Sequence, residues 1–184
     1  MSPVTYALAP AWARHAAHLV VLLALPSGLW RLALALGFRA GHTEQGYLDR
    51  VGSTSGALYV VALSVLAEGI AMLTLGLVRP WGEVVPRWIP FVGGRPIPPP
   101  AVVVPASIGT VILFAIWTPF VFWWNIPDQT LTPIGHTLVG VLYLPLIAWA
   151  PLLGAVTLDY HRRHRPAQPE GEALSERRPL LNPK

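Results

Sequence analysis

The chain has 184 residues, of which 53% are hydrophobic and 12% charged, and its formal net charge is +4 at pH 7. A soluble domain carries about 25% charged residues, so this composition argues against a water-soluble domain and predicts a protein whose surface faces lipid. Cysteine is absent, which excludes disulfides and thiolate metal sites. The basic residues other than Arg31 fall outside the apolar stretches, so we attribute them to orientation in a lipid bilayer and expect no nucleic-acid partner.

The first two apolar stretches are predicted to cross the membrane. Residues 1–14 form a short N-terminal segment before the first stretch, residues 15–37. That stretch is too long for a signal peptide and Arg31 interrupts it, so we interpret it as a span. The second stretch, residues 54–78, contains a single charge, Glu68. At 1.5 Å per residue, it is long enough to cross a hydrocarbon core of about 30 Å.

The third and fourth spans are rich in proline. A loop dense in Pro, Gly and Trp, residues 79–100, precedes the third span at residues 101–124, and a short turn precedes the fourth at residues 134–158. A charged, proline-rich tail, residues 159–184, is predicted to be disordered. Proline removes a backbone donor and clashes with the preceding turn, so we expect kinks or breaks that leave room for a cavity at Pro26, Pro105, Pro119, Pro145 and Pro151.

These elements predict an all-α, polytopic membrane protein built as a bundle of four transmembrane helices. Four spans place both chain termini on one side of the membrane. Ten of the thirteen basic residues lie in the N-terminal segment, the 79–100 loop and the tail, against two in the other two loops. We therefore expect a multi-pass protein of the cell membrane with both termini in the cytoplasm.

Glu68 and Arg31 are the strong charges inside the predicted spans. A carboxylate at mid-membrane is costly and marks either a function or a buried partner. The rise per residue separates the two groups by about 10 Å along the membrane normal, so they can pair only if their helices are adjacent and face each other. One interpretation is structural: a buried Arg31–Glu68 ion pair, or a protonated Glu68 bonded to Ser64 or to another helix. The other is catalytic, with Glu68 as acid or base and Arg31 as its partner or an anion contact.

An aromatic cluster closes the third span, near polar residues of the turn and of the fourth span. One interpretation is a belt of interfacial aromatic residues together with core packing. The other is a pocket opening from the outer leaflet with Glu68 at its floor. There, a buried carboxylic acid could protonate an alkene, and aromatic faces could stabilise the resulting cation. The predicted substrate-binding residues are Trp117, Phe120, Trp123, Trp124, Asp128, His136 and Tyr143.

Two groups of polar residues near the span ends were candidates for metal or haem binding. At the predicted outer rim, no two residues have the H-x-x-H or H-E-x-x-H spacing of a metal-binding helix, so we expect solvated loop residues there. His15 and His18 lie one turn apart near the start of the first span, where a haem would need an opposed histidine at similar depth; we expect them to be interfacial anchors. No cofactor is therefore expected. The rim residues are His42, Glu44, Asp49, Asn125, Asp128 and His136.

The order of these features resembles that of small four-span membrane proteins found in actinobacteria: Glu68 in the second span, then RPWGEVVPRWIPFVGGRPIPPP, then an aromatic third span. This resemblance covers residues 12–158. In architecture and in Glu68, the chain is also similar to small membrane-bound terpene cyclases, which use buried acidic residues to start cyclisation of isoprenoids. The second resemblance implies an isoprenoid or lipid substrate with Glu68 as the acid.

Two functional hypotheses follow from the sequence. The first is a membrane-embedded enzyme that acts on a lipophilic small molecule by acid/base chemistry at Glu68. The second is a non-enzymatic assembly, regulatory or transport component in which Arg31 and Glu68 form a structural pair.

Overall fold

The computed structural model describes residues 8–85, 90 and 93–164. Within these ranges the chain is helical, and four stretches are long and apolar enough to cross a membrane: Ala11–Ala35, Thr54–Gly76, Pro99–Asn125 and Pro133–Arg163. The predicted all-α fold with four spans is thereby confirmed. The α-helices are α1 (Ala11–Ala35), α2 (Glu44–Val51), α3 (Thr54–Gly76), α4 (Pro99–Trp117), α5 (Pro133–Tyr143) and α6 (Trp149–Arg163). Short 3₁₀ segments span Pro80–Gly82, Thr118–Asn125 and Leu144–Ala148.

The ends of the bundle differ from the predicted boundaries. α1 begins at Ala11, within the predicted N-terminal segment. α6 continues to Arg163, so the first residues of the predicted disordered tail are helical. Arg163 Nε donates to Asp159 one turn earlier, at 2.8 Å, and its Nη2 donates to the carbonyl of Leu77 at the end of α3, at 3.0 Å. These contacts hold the last turn of α6 in place. Residues 165–184, the rest of that tail, lie outside the described residues.

The prolines act on the spans in two ways. Pro119 and Pro145 lie in 3₁₀ segments that interrupt the third and fourth spans, as predicted. Pro151 lies in the first turn of α6, where the missing N–H has little effect because the N–H groups of a first turn lack partners within the helix. Pro26 and Pro105 lie inside α1 and α4, which continue as α-helix through them.

α1 is the central helix and packs against α3, α5 and α6. Its buried positions recur every three or four residues, which places them on one face of the helix. Most of them are small, and small residues let membrane helices approach closely. These buried residues are Ala13, Ala16, Ala17, Val20, Ala24, Ser27, Gly28, Trp30, Arg31 and Leu34.

α3 and α4 have different main partners. α4 packs mainly along α6 and α3 mainly along α1, and any direct contact between α3 and α4 is slight by comparison. No residue of α4 is buried, although α4 is strongly apolar. The bundle is therefore closed around α1 and open between α3 and α4.

Two loops pair at one end of the bundle, which we call the α2 end; the opposite end, where α1 begins and α6 finishes, is the terminal end. The backbone N–H of Thr43 donates to the carbonyl of Thr130 at 2.9 Å, and that of Thr132 donates to the carbonyl of Gly41 at 3.0 Å. The backbones of Gly41 and Gly135 touch, and Gly41 has a φ of +89°. Glycine at these positions allows α5 to begin directly against the loop that precedes α2.

Gly135→Ala should lower the thermal unfolding temperature of the detergent-solubilised protein, because the added Cβ would meet the backbone of Gly41. Overpacking of this kind costs about 1–3 kcal/mol. Gly69→Ala is the matched control, since a Cβ at that position of α3 would meet nothing within 4 Å. Equal unfolding temperatures for the two variants would contradict the close contact at Gly135.

Candidate functional site

Arg31 lies inside the bundle and is only 9% exposed, although its guanidinium group is permanently charged. Its Nε donates a hydrogen bond to Ser64 Oγ on α3 at 3.0 Å, and its Nη1 donates to Tyr143 Oη at the end of α5 at 3.2 Å. The guanidinium carbon also lies 5.7 Å from the centre of the Tyr143 ring. Both hydrogen-bond partners are neutral, so neither neutralises the charge.

Ser64 is held in a fixed orientation by its own helix. Its hydroxyl donates to the carbonyl of Val60 at 2.9 Å, which leaves a lone pair of the oxygen to accept from Arg31. Neither carboxyl oxygen of Glu68 bonds to Ser64, so the structure does not show the protonated Glu68 bonded to Ser64 that was one of the structural alternatives.

Glu68 lies one turn along α3 from Ser64 and faces α1 at Gly28. A Cβ on Gly28 would lie only 2.8 Å from Glu68 Oε1. Both carboxyl oxygens of Glu68 are buried, and neither has a hydrogen-bond partner among the described residues. The carboxyl group is thus enclosed against the backbone of α1 without a partner.

Arg31 and Glu68 do not form the direct ion pair that was one of the sequence interpretations. Their helices are adjacent and face each other, as that pairing requires. The guanidinium group, however, bonds at the level of Ser64 on α3, and Glu68 lies four residues further along, about 6 Å at the helical rise. The difference in depth therefore keeps the two charged groups apart.

Arg31 lines a cavity of about 430 Å³ bounded by α1, α3 and α4, which we call the Arg31 cavity. Its polar lining residues are Arg31, Arg50, Tyr59 and Tyr143, and no carboxylate lines it. The remaining wall is apolar and includes the indole rings of Trp30, Trp117 and Trp149. Glu68 is not among the lining residues, although its neighbour Ala67 is.

A second cavity of about 370 Å³, the Trp81 cavity, lies between α3 and α4 towards the terminal end. Its wall is almost entirely apolar and includes Leu73, Trp81, Val102 and Gly109. Ile70 lines both cavities, so the two adjoin along α3. We call the pair of neighbouring cavities the α3–α4 crevice.

The predicted aromatic cluster is assembled around Tyr143. The Tyr143 ring centre lies 6.0 Å from those of Trp117 and Phe120, and Phe120 stacks on Trp123 at 5.0 Å. Trp30 of α1 meets the edge of Tyr143 at 5.7 Å. The structure thus brings four predicted binding residues together with Arg31. Of these four, Trp117 and Tyr143 line the Arg31 cavity.

Three other predicted binding residues lie at the α2 end, away from the Arg31 cavity. His136 stacks on Trp123 at 4.7 Å and contacts the Ile126 carbonyl through Nε2 at 3.0 Å. Trp124 packs against Gly140. With Asp128, His136 and Trp124 line a shallow surface depression of about 440 Å³.

Asp128 organises the turn before α5. Its Oδ1 accepts hydrogen bonds from the backbone N–H of Thr130 at 2.8 Å and from the Thr130 hydroxyl at 2.6 Å. Burial acts to raise the pKa of Asp128, but these two hydrogen bonds and the charge of Arg50 together hold it below its ordinary value. Asp128 therefore remains ionised and fixes the turn.

His42 is 4% exposed and stacks on Trp30 at 5.2 Å. Burial lowers the pKa of His42, and the charge of Arg50 lowers it further, against the opposing effects of the Arg39 carbonyl and Asp128. His42 is therefore a neutral packing residue at neutral pH.

The other polar residues near the span ends have local partners. Glu44 pairs with Arg39 at 3.4 Å, and Asp49 accepts from Gln45 at 2.8 Å. His18 Nε2 accepts from Arg79 at 3.1 Å. Among the described residues, no group of three His, Asp or Glu side chains is placed to hold a metal ion.

Sequence reasoning missed Arg50, Tyr59 and Trp30 as lining residues of the Arg31 cavity. Arg50 lies on α2, a short helix in the segment between the first two predicted spans. Thr43 caps that helix by accepting from the N–H of Gly46 at 3.1 Å. A threonine followed directly by an acidic residue is a helix-start signal that could have identified α2.

Comparisons with models of protein families, with curated proteins and with solved structures find no match to this chain. The interpretation of the site therefore rests on its geometry.

Tyr143→Phe should lower the thermal unfolding temperature, because it leaves a buried guanidinium N–H of Arg31 without its acceptor. Loss of one partner from a buried charged donor costs about 1–3 kcal/mol or more. Tyr59→Phe is the matched control, since the Tyr59 hydroxyl has no hydrogen bond among the described residues and its ring is 68% exposed. If the two variants unfold at the same temperature, the Arg31–Tyr143 bond does not stabilise the bundle.

Proposed function

We propose that this chain is an integral protein of the cell membrane that binds a lipophilic small molecule in the α3–α4 crevice. The observation that carries the proposal is the pair of adjoining cavities, about 430 and 370 Å³, between two membrane-length helices that pack mainly on other helices. Ligand sites are typically apolar cavities of about 300–1,000 Å³ with a few polar groups that orient the ligand.

A lipophilic ligand fits the walls of this crevice. An empty space between helices leaves its wall atoms without van der Waals contacts, so a bilayer molecule gains contacts by entering it. α4 has no buried residue and borders the crevice on one side. A molecule dissolved in the bilayer can therefore enter sideways, between α3 and α4, without crossing water.

The distribution of basic residues supports one orientation for this proposal. The α2 end carries Arg39 and Arg50, whereas five basic residues of the described chain lie at the terminal end: Arg14, Arg79, Arg95, Arg162 and Arg163. By the positive-inside rule, the terminal end and both chain termini face the cytoplasm. The Arg31 cavity then lies in the outer half of the membrane and the Trp81 cavity in the inner half.

Ala67→Trp should remove the bound molecule, because Ala67 lines the Arg31 cavity and an indole would fill it. The amount of lipophilic material that copurifies with the protein, measured by native mass spectrometry, should fall several-fold. Ala62→Trp is the matched control, since Ala62 is an exposed residue of the same helix and lines neither cavity. Equal lipid content in wild type and both variants would refute binding in the crevice.

A second candidate function, an enzyme that uses Glu68 as acid or base, is favoured by the unpartnered carboxyl of Glu68. A buried carboxyl without a hydrogen-bond partner can exchange a proton with a bound molecule once its side chain rotates from Gly28 towards the neighbouring cavity. Arg31, one turn away, would contact an anionic group of the substrate. The resemblance to membrane-bound terpene cyclases supports an isoprenoid or another lipid as that substrate.

Glu68→Gln tests the enzyme against the non-enzymatic alternative, an assembly, regulatory or transport component. If the protein is an enzyme, untargeted lipid analysis should find a product in cells that make the wild-type protein, and this product should be absent from cells that make Glu68→Gln. The unfolding temperature of Glu68→Gln should equal that of the wild type. Glu44→Gln is the matched control, because Glu44 is 71% exposed and pairs with Arg39 at the surface. Identical lipid profiles for all three proteins would exclude catalysis by Glu68, and a lowered unfolding temperature would then indicate a structural role.

A further inference from the structure

We infer that the molecule in the α3–α4 crevice is an anionic lipid whose phosphate head group pairs with Arg31 and Arg50 and whose chain runs along α3 towards Trp81. This inference rests on the proposed function, that a lipophilic molecule fills the crevice, and adds the charge and the shape of that molecule.

The first argument is that no anion bonds directly to the buried guanidinium group of Arg31. A guanidinium group has five N–H donors, and here only Nε and Nη1 donate, both to neutral hydroxyls. Glu68 is near enough to act on Arg31 through space, but its carboxyl oxygens make no hydrogen bond to Arg31. Burying a cation without a directly bonded anion is unfavourable, and a ligand anion would supply that partner. The remaining donors of Arg31 are the groups that would hold it.

The second argument is the composition of the cavity wall. Arg50 of α2 lines the same cavity as Arg31 and forms no ion pair with a described residue. The wall therefore carries two guanidinium groups and no carboxylate. Guanidinium groups bind phosphate through paired hydrogen bonds. The hydroxyls of Tyr59 and Tyr143 are further donors on the same wall. A neutral lipid would leave both positive charges unpaired.

The third argument is the shape of the crevice. Its lining on α3 runs from Tyr59 to Leu77, which is about 27 Å at 1.5 Å per residue. This length exceeds the depth of one leaflet of the hydrocarbon core, which is about 15 Å, half of the full thickness. Both arginines line only the Arg31 cavity, whereas the Trp81 cavity is apolar. This arrangement fits a single anionic head group at the α2 end with an apolar chain directed towards the terminal end.

The test uses three probes on the purified full-length protein: phosphatidic acid, diacylglycerol with the same acyl chains, and inorganic phosphate. Native mass spectrometry should show phosphatidic acid binding about tenfold or more tightly than diacylglycerol, with no competition from inorganic phosphate. Equal affinity for the two lipids would overturn the inference. Displacement of phosphatidic acid by inorganic phosphate at comparable concentration would also overturn it, since the site would then bind the free anion.

Variants locate the head group. Arg31→Gln and Arg50→Gln should each weaken phosphatidic acid binding about tenfold and leave diacylglycerol binding unchanged. Arg39→Gln is the matched control, because Arg39 is a 59% exposed residue of the α2 end that pairs with Glu44 and does not line the cavity. If Arg31→Gln does not fold, Arg50→Gln carries the test, since Arg50 is exposed. An equal loss in Arg39→Gln would show general attraction to anionic lipid and overturn the inference.

A phosphatidic acid analogue with a photoreactive group at its chain end locates the chain. It should label α3 or α4 residues around the Trp81 cavity, and labelling confined to the outer surface of α4 would overturn the assigned path.

The outcomes separate the two proposals. If Ala67→Trp leaves the lipid content unchanged, the crevice is not a binding site and the proposed function fails. If Ala67→Trp removes bound lipid but wild-type protein does not distinguish the two lipids, only the inference about the head group fails.

Discussion

The bundle depends on the burial of one permanent charge. Arg31 projects from α1 and bonds to Ser64 of α3 and to Tyr143 of α5, so a single guanidinium group joins three helices. Arginine cannot lose its proton to become neutral, and hydrogen bonds to a charged donor are stronger than neutral ones in an apolar interior. α4 has no such connection and packs on α6 instead. The open side of the bundle, between α3 and α4, follows from that difference.

The four spans were predictable from the sequence because lipid imposes a simple requirement. Every backbone polar group in a hydrocarbon core must be bonded internally, so a long apolar stretch must be helical. Serine is a preferred residue at a helix start, and Ser53 accepts from the N–H of Gly56 at 3.1 Å at the start of α3. Thr43 and Thr132 make the same kind of contact at the starts of α2 and α5.

The partner of Arg31 was not predictable in the same way. Counting residues along a helix gives the depth of a side chain, but it does not give the rotation of one helix about its axis against another. Charge complementarity pointed to Glu68, whereas two neutral hydroxyls bond the guanidinium group. Tyr143 is the last residue of α5, directly before the chain changes to a 3₁₀ segment at Leu144. A 3₁₀ helix has fewer residues per turn than an α-helix, so the change shifts the following side chains to a different face. Pro145 is the sequence signal of this change.

The separation of Arg31 from Glu68 has a functional consequence. A direct ion pair would cancel the charge of Arg31 and leave the Arg31 cavity with Arg50 as its remaining cation. A Cβ at Gly28 would lie 2.8 Å from Glu68 Oε1, so glycine leaves room for that carboxyl to face the backbone of α1 at a different depth from Arg31. Arg31 consequently keeps unused donors on a cavity wall. A charge at membrane depth without a directly bonded anion is unfavourable, so in the proposed function the same feature that burdens the empty protein would favour an anionic ligand.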